Sequence, residues 1–337
     1  MKISDFYFEL PEDLIAQSPT RKRSESKLLV LYESGEIIHK KFKDIVDFLG
    51  KDDVVVLNNT RVLKARVYGR KKTGGNVEML FFKADSEKKY HALVGGRVGK
   101  ESTILIDNVE IKVIQKKGNI FIVDEEEAKI DFLIEHYGTI PLPPYIKRAA
   151  NTDDEERYQT IFAKYKGSVA APTASLHFDE GVIQNLMKKG VKLTYITLHV
   201  GPGTFLPIKS ENIEDHKMMA EYCEISNETA DIINTALRSK KKVLFCGTTV
   251  VRAIEWASIE EEVKPKNGFA DIYIYPGYKF KVVKNMLTNF HLPSSTPLLL
   301  VCALAGKDAI FNAYKEAIKK KYRFFSYGDA MLILKRD

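Results

Sequence analysis

Apolar positions fall into two textures along the chain. At 28–32 and 54–57 they run without interruption, which predicts strands buried on both faces. From about 65 to 122 they come in short alternating or β-branched runs, at 66–68, 77–82, 90–94, 103–106, 109–114 and 120–123. Gly74-Gly75, Gly95-Gly96, Gly99 and Gly118 stand between these runs. Short strands at near-regular spacing with glycine turns predict a small β-barrel. Residues 125–137 then read as a helix, and Pro141-Leu142-Pro143-Pro144 as an extended connector.

After residue 150 strands and helices alternate. A helix at 179–189 ends at Gly190, and a strand spans 191–200. Ser226 caps a helix to about 240. A short strand at 243–246 runs into Gly247-Thr248-Thr249 and a helix to about 258. A strand at 271–275, an amphipathic helix at 309–320 and a last strand at 330–334 follow. At the N-terminus, Phe6-Tyr7-Phe8 is strand-like and Pro11 opens a short helix through Leu14 and Ile15. The expected fold is an α/β main domain, discontinuous over 1–61 and 151–337. An all-β, barrel-like domain is expected to be inserted at 62–150.

Composition adds bounds. The 337 residues are 45% hydrophobic and 29% charged, enough for two cores and too apolar for a disordered tail. The longest apolar run, 298–305, is far shorter than the ~20 residues of a spanning helix. Met1-Lys2-Ile3-Ser4-Asp5-Phe6 has no apolar signal core, so the expected location is the cytoplasm. Cys223, Cys246 and Cys302 lie too far apart for a disulfide framework or a thiolate zinc site. A net charge of +7 permits a polyanionic partner without demanding one. The basic residues clump at 21–23, at 70–72, at Arg238 with Lys240, Lys241 and Lys242, and at 319–321 with Arg323. Such runs usually face water, but four of them point towards phosphate.

Five segments break the local pattern. Residues 167–178 (GSVAAPTASLHF), 197–207 (TLHVGPGTFLP), 247–252 (GTTVVR), 288–296 (TNFHLPSST) and 322–329 (YRFFSYGD) are rich in small and polar residues between apolar flanks. If a parallel sheet underlies them, loops after strand ends meet in one crevice. His177, His199, His216 and His291 lie in or just after these loops, and imidazole suits proton transfer near neutral pH. The competing metal reading lacks a His-x-x-x-His pair and accompanying carboxylates, so no metal is expected. Gly201-Pro202-Gly203 lacks the third glycine of a dinucleotide loop, and there is no P-loop. Gly247-Thr248-Thr249 instead joins a strand to a helix N-terminus, a place for a carboxylate or phosphate. Asn58-Asn59-Thr60-Arg61 ends a buried strand at the domain junction, and 322–329 interleaves basic and aromatic residues as RNA-stacking surfaces do, while Phe324 and Phe325 fit a core equally well.

Segments 167–178, 197–205, 247–252, 288–293 and 322–331, with 5–17 (DFYFELPEDLIAQ) and 55–66 (VVLNNTRVLKAR), resemble the signature segments of the S-adenosylmethionine:tRNA ribosyltransferase-isomerase family of queuosine biosynthesis. The likeness covers essentially the whole chain. It departs at Met219, where the family pattern has a second histidine after His216. It departs also at Asn59, where aspartate is usual, and at Lys27, where arginine is usual. The resemblance implies transfer and isomerisation of the S-adenosylmethionine ribosyl unit onto a 7-aminomethyl-7-deazaguanine base at the tRNA wobble position. The product is epoxyqueuosine, and adenine and methionine leave. S-adenosylmethionine is then a co-substrate. The expected acid/base set is His199, His177 and His291. The expected substrate contacts are Gly201, Gly203, Thr204, Gly247, Thr248, Thr249, Arg252, Asn58, Arg61, Tyr327 and Asp329. Arg238, Lys240, Lys241, Lys242 and Arg323 are expected to meet tRNA. A monomer is expected, because an asymmetric tRNA needs no symmetric partner. Two other readings fit the same residues: an RNA-binding module without chemistry, and a purine glycosyl enzyme acting on small molecules.

Overall fold

The computed structural model describes residues 1–83, 89–99 and 101–335, with the side chains of Thr204 and Phe205 left aside. Among the described residues, nine strands form one mixed sheet. Their order is Lys266–Ala270, Glu221–Ile225, Lys192–Leu198, Val54–Asn58, Val243–Cys246, Asn285–Asn289, Ala330–Leu334, Lys27–Tyr32 and Ile37–Lys41. The four strands from Lys192–Leu198 to Asn285–Asn289 are mutually parallel. The strand Ala330–Leu334 runs antiparallel to its neighbour Asn285–Asn289, and Lys27–Tyr32 runs parallel to Ala330–Leu334. The starts of these last two strands therefore share one edge of the sheet with the ends of the four parallel strands.

The apolar runs explain this burial. Val54–Asn58 is buried at all five positions because helices cover both sheet faces. On one face Val54, Val56, Ile196, Leu198, Phe245 and Met286 pack against the helices Thr248–Ala257 and Thr296–Ala305. On the other, Val55, Leu57, Leu244 and Leu287 meet Phe42, Phe178, Val182 and Leu186.

A second core is the closed six-stranded barrel, in the order Ile120–Val123, Tyr90–Gly95, Asn76–Lys83, Arg66–Lys71, Ser102–Ile106 and Val109–Lys117. Alternation does the sorting: Ile111 and Val113 point inward, while Glu110, Lys112 and Ile114 face water. Helix Glu127–Tyr137 covers the interior with Ile130, Leu133 and Ile134. The chain leaves the main sheet through Thr60–Val62, which pairs in parallel with Tyr165–Ser168. Beyond Gly138 it returns: Ile140, Leu142 and Ile146 pack with Ala16, Tyr158, Leu176 and Tyr327.

Several local expectations need correction. Phe6-Tyr7-Phe8 is not a strand; Ile3–Phe6 is a turn of 3-10 helix. Its aromatics are anchors, Phe6 fully buried and Phe8 edge-on to Tyr314 at 5.2 Å. The strand expected at 271–275 lies at Lys266–Ala270 instead, because only there does Glu221–Ile225 offer backbone partners. Segment 288–296 is not all loop: Thr288 and Asn289 close a buried strand, and Thr296–Ala305 is a helix holding the longest apolar run. No single helix among the described residues is long and apolar enough to cross a membrane.

Candidate active site

Loops from the shared edge meet in one cleft. Each of the five unusual segments supplies part of its lining. Ala171 and Thr173 come from the first and Val200 from the second. Thr248 and Thr249 come from the third, Asn289 and His291 from the fourth, Phe325 and Ser326 from the fifth. This is the position in an open sheet where parallel strand ends leave room for a ligand.

At the cleft floor, Cys246 passes into Gly247, whose φ of +96° makes the tight strand-to-helix turn. Helix Thr248–Ala257 starts there without a side-chain cap, so its first N–H groups open onto the cleft. One buried atom on the lining, Thr249 Oγ1, has no hydrogen-bond partner among the described residues, whereas Tyr158 OH neighbours Ser326 and the Asn289 amide neighbours His177. Buried polar atoms are nearly always paired in native proteins, so Thr249 Oγ1 marks where a ligand's polar atom belongs. The Tyr145 and Ser326 hydroxyls on the lining are 2.6 Å apart.

The three expected acid/base histidines take three different positions. His291 lines the cleft, with Nε2 at 2.7 Å from the Thr288 hydroxyl and its backbone N–H donating to Tyr314 OH. Burial pushes its imidazole down to about 3. His177 lies behind the lining. Its Nδ1 is 2.7 Å from Ser26 Oγ and its ring stacks on Phe42. Burial pushes it down to about 3, and Asn289 sits on its open side. His199 stands beside the cleft, one residue before Val200, where the barrel meets the sheet. Its Nδ1 is 2.8 Å from Thr60 Oγ1, and burial, with nearby Lys83, lowers it to about 4. All three are therefore neutral at pH 7. His216 is half-buried, edge-on to Tyr273.

Other expected contacts are committed elsewhere. Arg252 is buried and paired with Glu221, and it donates to Ile272 O. Glu221 also accepts the Gly201 N–H at 2.8 Å. The charge of Arg252 is thus already matched, although its side chain borders a smaller recess next to the cleft. Asn58 ties two strand ends together: its Nδ2 donates to Leu198 O, and its Oδ1 accepts from Thr60 N and Leu198 N. Tyr327 donates to Asp154 at 2.7 Å, and Asp329 accepts the N–H groups of Lys27 and Arg323. Gly203 packs against Met219. The side chain of Thr204 lies outside the described residues. Arg61 is exposed on the cleft-side ribbon. Arg238, Lys240, Lys241 and Lys242 precede strand Val243–Cys246, so they lie at the sheet edge opposite the cleft, with Arg238 facing Glu262 at 3.5 Å. Arg323 donates to Ser18 O.

Residues missed in the sequence are Tyr145, Tyr158, Glu221 and Asp154. Tyr145 had a signal in the rigid Pro-Pro that precedes it. A buried glutamate on an amphipathic strand had none.

These features define an α/β enzyme with a closed barrel beside its cleft. The family described as queuosine biosynthesis protein matches residues 3–333, and the chain belongs to that family. The S-adenosylmethionine:tRNA ribosyltransferase-isomerase of Acetivibrio thermocellus is 46% identical over 99% of this chain and all of its own. The protein of the same name from Halothermothrix orenii is 47% identical over 99% of this chain and all of its own. A solved structure of S-adenosylmethionine tRNA ribosyltransferase from Thermotoga maritima superposes with a TM-score of 0.58 at 33% identity, covering 98% of this chain and 100% of that one.

Proposed function

We propose that this enzyme moves the ribosyl unit of S-adenosylmethionine onto the aminomethyl group of a 7-deazaguanine base at the tRNA wobble position. The ribose isomerises to give epoxyqueuosine, and adenine and methionine are released. The observation that carries this reading is the convergence of the five unusual segments on one cleft lined by aromatic rings and by the unpartnered Thr249 hydroxyl. An aromatic wall with a few directed polar groups suits a nucleoside.

The chemistry sets the roles. The sulfonium acidifies the ribose 5′ carbon, so a base there starts the loss of adenine. The attacking amine must be neutral. His177, His199 and His291 form the acid/base and hydrogen-bonding set, each neutral at working pH. The Gly247–Thr249 turn faces the methionine carboxylate with its helix N-terminus. Because Arg252 is paired internally, its part is to hold Glu221 and Gly201 in place. Arg61 and Lys166, exposed at paired positions of the ribbon beside His199, lie on the tRNA side. We take 62–150 as an inserted unit, and the enzyme as a cytoplasmic monomer.

Adenine release from S-adenosylmethionine, measured with and without tRNA carrying the aminomethyl base, tests the proposal. Strict dependence on the modified tRNA is expected. Release without tRNA identifies a small-molecule glycosyl enzyme, and no release at all identifies a binding module.

A further inference from the structure

The hydroxyls beneath His199 form a closed chain. The Val200 N–H donates to Ser168 Oγ at 2.8 Å. Ser168 Oγ is 2.7 Å from Thr60 Oγ1, which is 2.8 Å from His199 Nδ1. Thr60 and Ser168 are both fully buried, so no water completes their bonding.

Once the order in which His199 and Ser168 both donate to Thr60 is set aside, because it leaves the Thr60 hydrogen with no acceptor among the described residues, two proton orders remain. In one, His199 Nδ1–H donates to Thr60, and Thr60 donates to Ser168. Ser168 then accepts twice, and its own hydrogen has no acceptor among the described residues. In the other, Ser168 donates to Thr60, and Thr60 donates to a bare Nδ1. Every hydrogen then has an acceptor. Native interiors avoid an orphaned buried hydroxyl, so the second order holds. It leaves the imidazole proton on Nε2.

The ring is also held by its faces. Gly167 lies against one side, and the Tyr222 ring stacks near it at 5.6 Å and 22°. His199 is thus fixed in position and in tautomer.

We propose that Thr60 and Ser168 lock His199 as the Nε2–H tautomer, so that it meets the substrate as a fixed hydrogen-bond donor and not as a proton acceptor. This rests on the reading above that His199 belongs to the reacting set. His199 would then stabilise negative charge developing on a leaving nitrogen or a ribose oxygen, and it neither gains nor loses its proton. The base for the ribose proton must be another group. Thr60 and Ser168 are positioning residues.

The test uses the full chain labelled with 15N-histidine, His199 being assigned by comparison with His199→Gln. At neutral pH its Nδ1 is expected at an unprotonated shift and its Nε2 at a protonated one. Thr60→Val keeps the shape and removes the hydroxyl. It should release the lock to a mixture of tautomers and lower turnover about 10- to 100-fold, with KM for S-adenosylmethionine changed far less. Thr60→Ser should restore both signals. A wild-type Nδ1–H tautomer overturns the proposal, and so does Thr60→Val with an unchanged tautomer and full turnover. Full turnover in His199→Ala overturns the catalytic half through the reading it rests on, while the tautomer is settled by the spectrum alone.

Discussion

Gly167 and the His199 imidazole touch with no space between them. A Cβ built on Gly167 would stand 2.6 Å from three ring atoms, closer than any real side chain sits. The glycine at the head of the first signature segment is therefore needed for the histidine at the heart of the second.

Gly167→Ala is expected to push His199 off its seat. Displacement of a reacting group by about 1 Å can cost on the order of 10²-fold, so single-turnover adenine release should fall by roughly that factor. Wild-type release in a folded Gly167→Ala protein would show that the contact is dispensable.

His199→Ala is expected to lower turnover with saturating tRNA by about 10²–10³-fold, the cost of removing one fixed donor to developing charge. His39→Ala is the control. His39 lies on the edge strand Ile37–Lys41, bonded to Tyr322 OH at 2.7 Å and far along the sheet from the cleft. Its turnover should stay within about twofold of wild type, since a donor stabilises developing charge only in contact with the reacting atoms.

Asp154 should govern acid stability. Burial by itself raises its carboxyl. Hydrogen bonds from Arg148 (2.6 and 2.8 Å), from Asn151 N–H and from Tyr327 outweigh burial and hold it below the usual aspartate value. A depressed folded-state pKa contributes stability above the unfolded value near 4, and that contribution fades as pH falls through the folded value. Calorimetry from pH 7 down to about 3 should show this loss in wild type and not in Asp154→Asn. Asp154→Ala strands Arg148 and Tyr327 and should cost about 3–5 kcal/mol at pH 7.

Salt dependence separates the two basic surfaces. Each Lys/Arg–phosphate contact contributes about 0.7–0.9 to the slope of log K against log salt. Neutralising Arg61 and Lys166 together should flatten the tRNA slope by roughly 1.5. Neutralising Arg238, Lys240, Lys241 and Lys242 should leave it nearly unchanged, because they sit at the opposite sheet edge. The reverse result would place the tRNA body across that far edge.

Much of this was legible along the chain. The six barrel strands matched their short runs because alternation is a property of neighbouring residues, and Ile111, Lys112 and Val113 sort themselves whatever surrounds them. The five odd segments stood out by composition; three follow the ends of parallel strands, 322–329 leads into an antiparallel strand that starts at the same edge, and 167–178 follows the ribbon strand Tyr165–Ser168. The misplacement of the 271–275 strand shows the limit. Its alternation is as good as that of Lys266–Ala270, but only the latter has a neighbour to pair with.

Sequence by itself determined most of the elements, the barrel and main-sheet cores and the membership of the site by segment. Tertiary structure alone decided what each polar side chain does there. Arg252 has Glu221 as its counter-ion across 31 residues of chain, Tyr327 finds Asp154 across 173, and Thr60 reaches Ser168 across 108 and His199 across 139. A hydrogen bond needs atoms within about 3 Å, and which atoms come that close depends on which strand ends lie side by side. No local pattern records that. A buried charge or hydroxyl must find a partner, so the identity of the partner, and with it the protonation state, is a property of the folded whole.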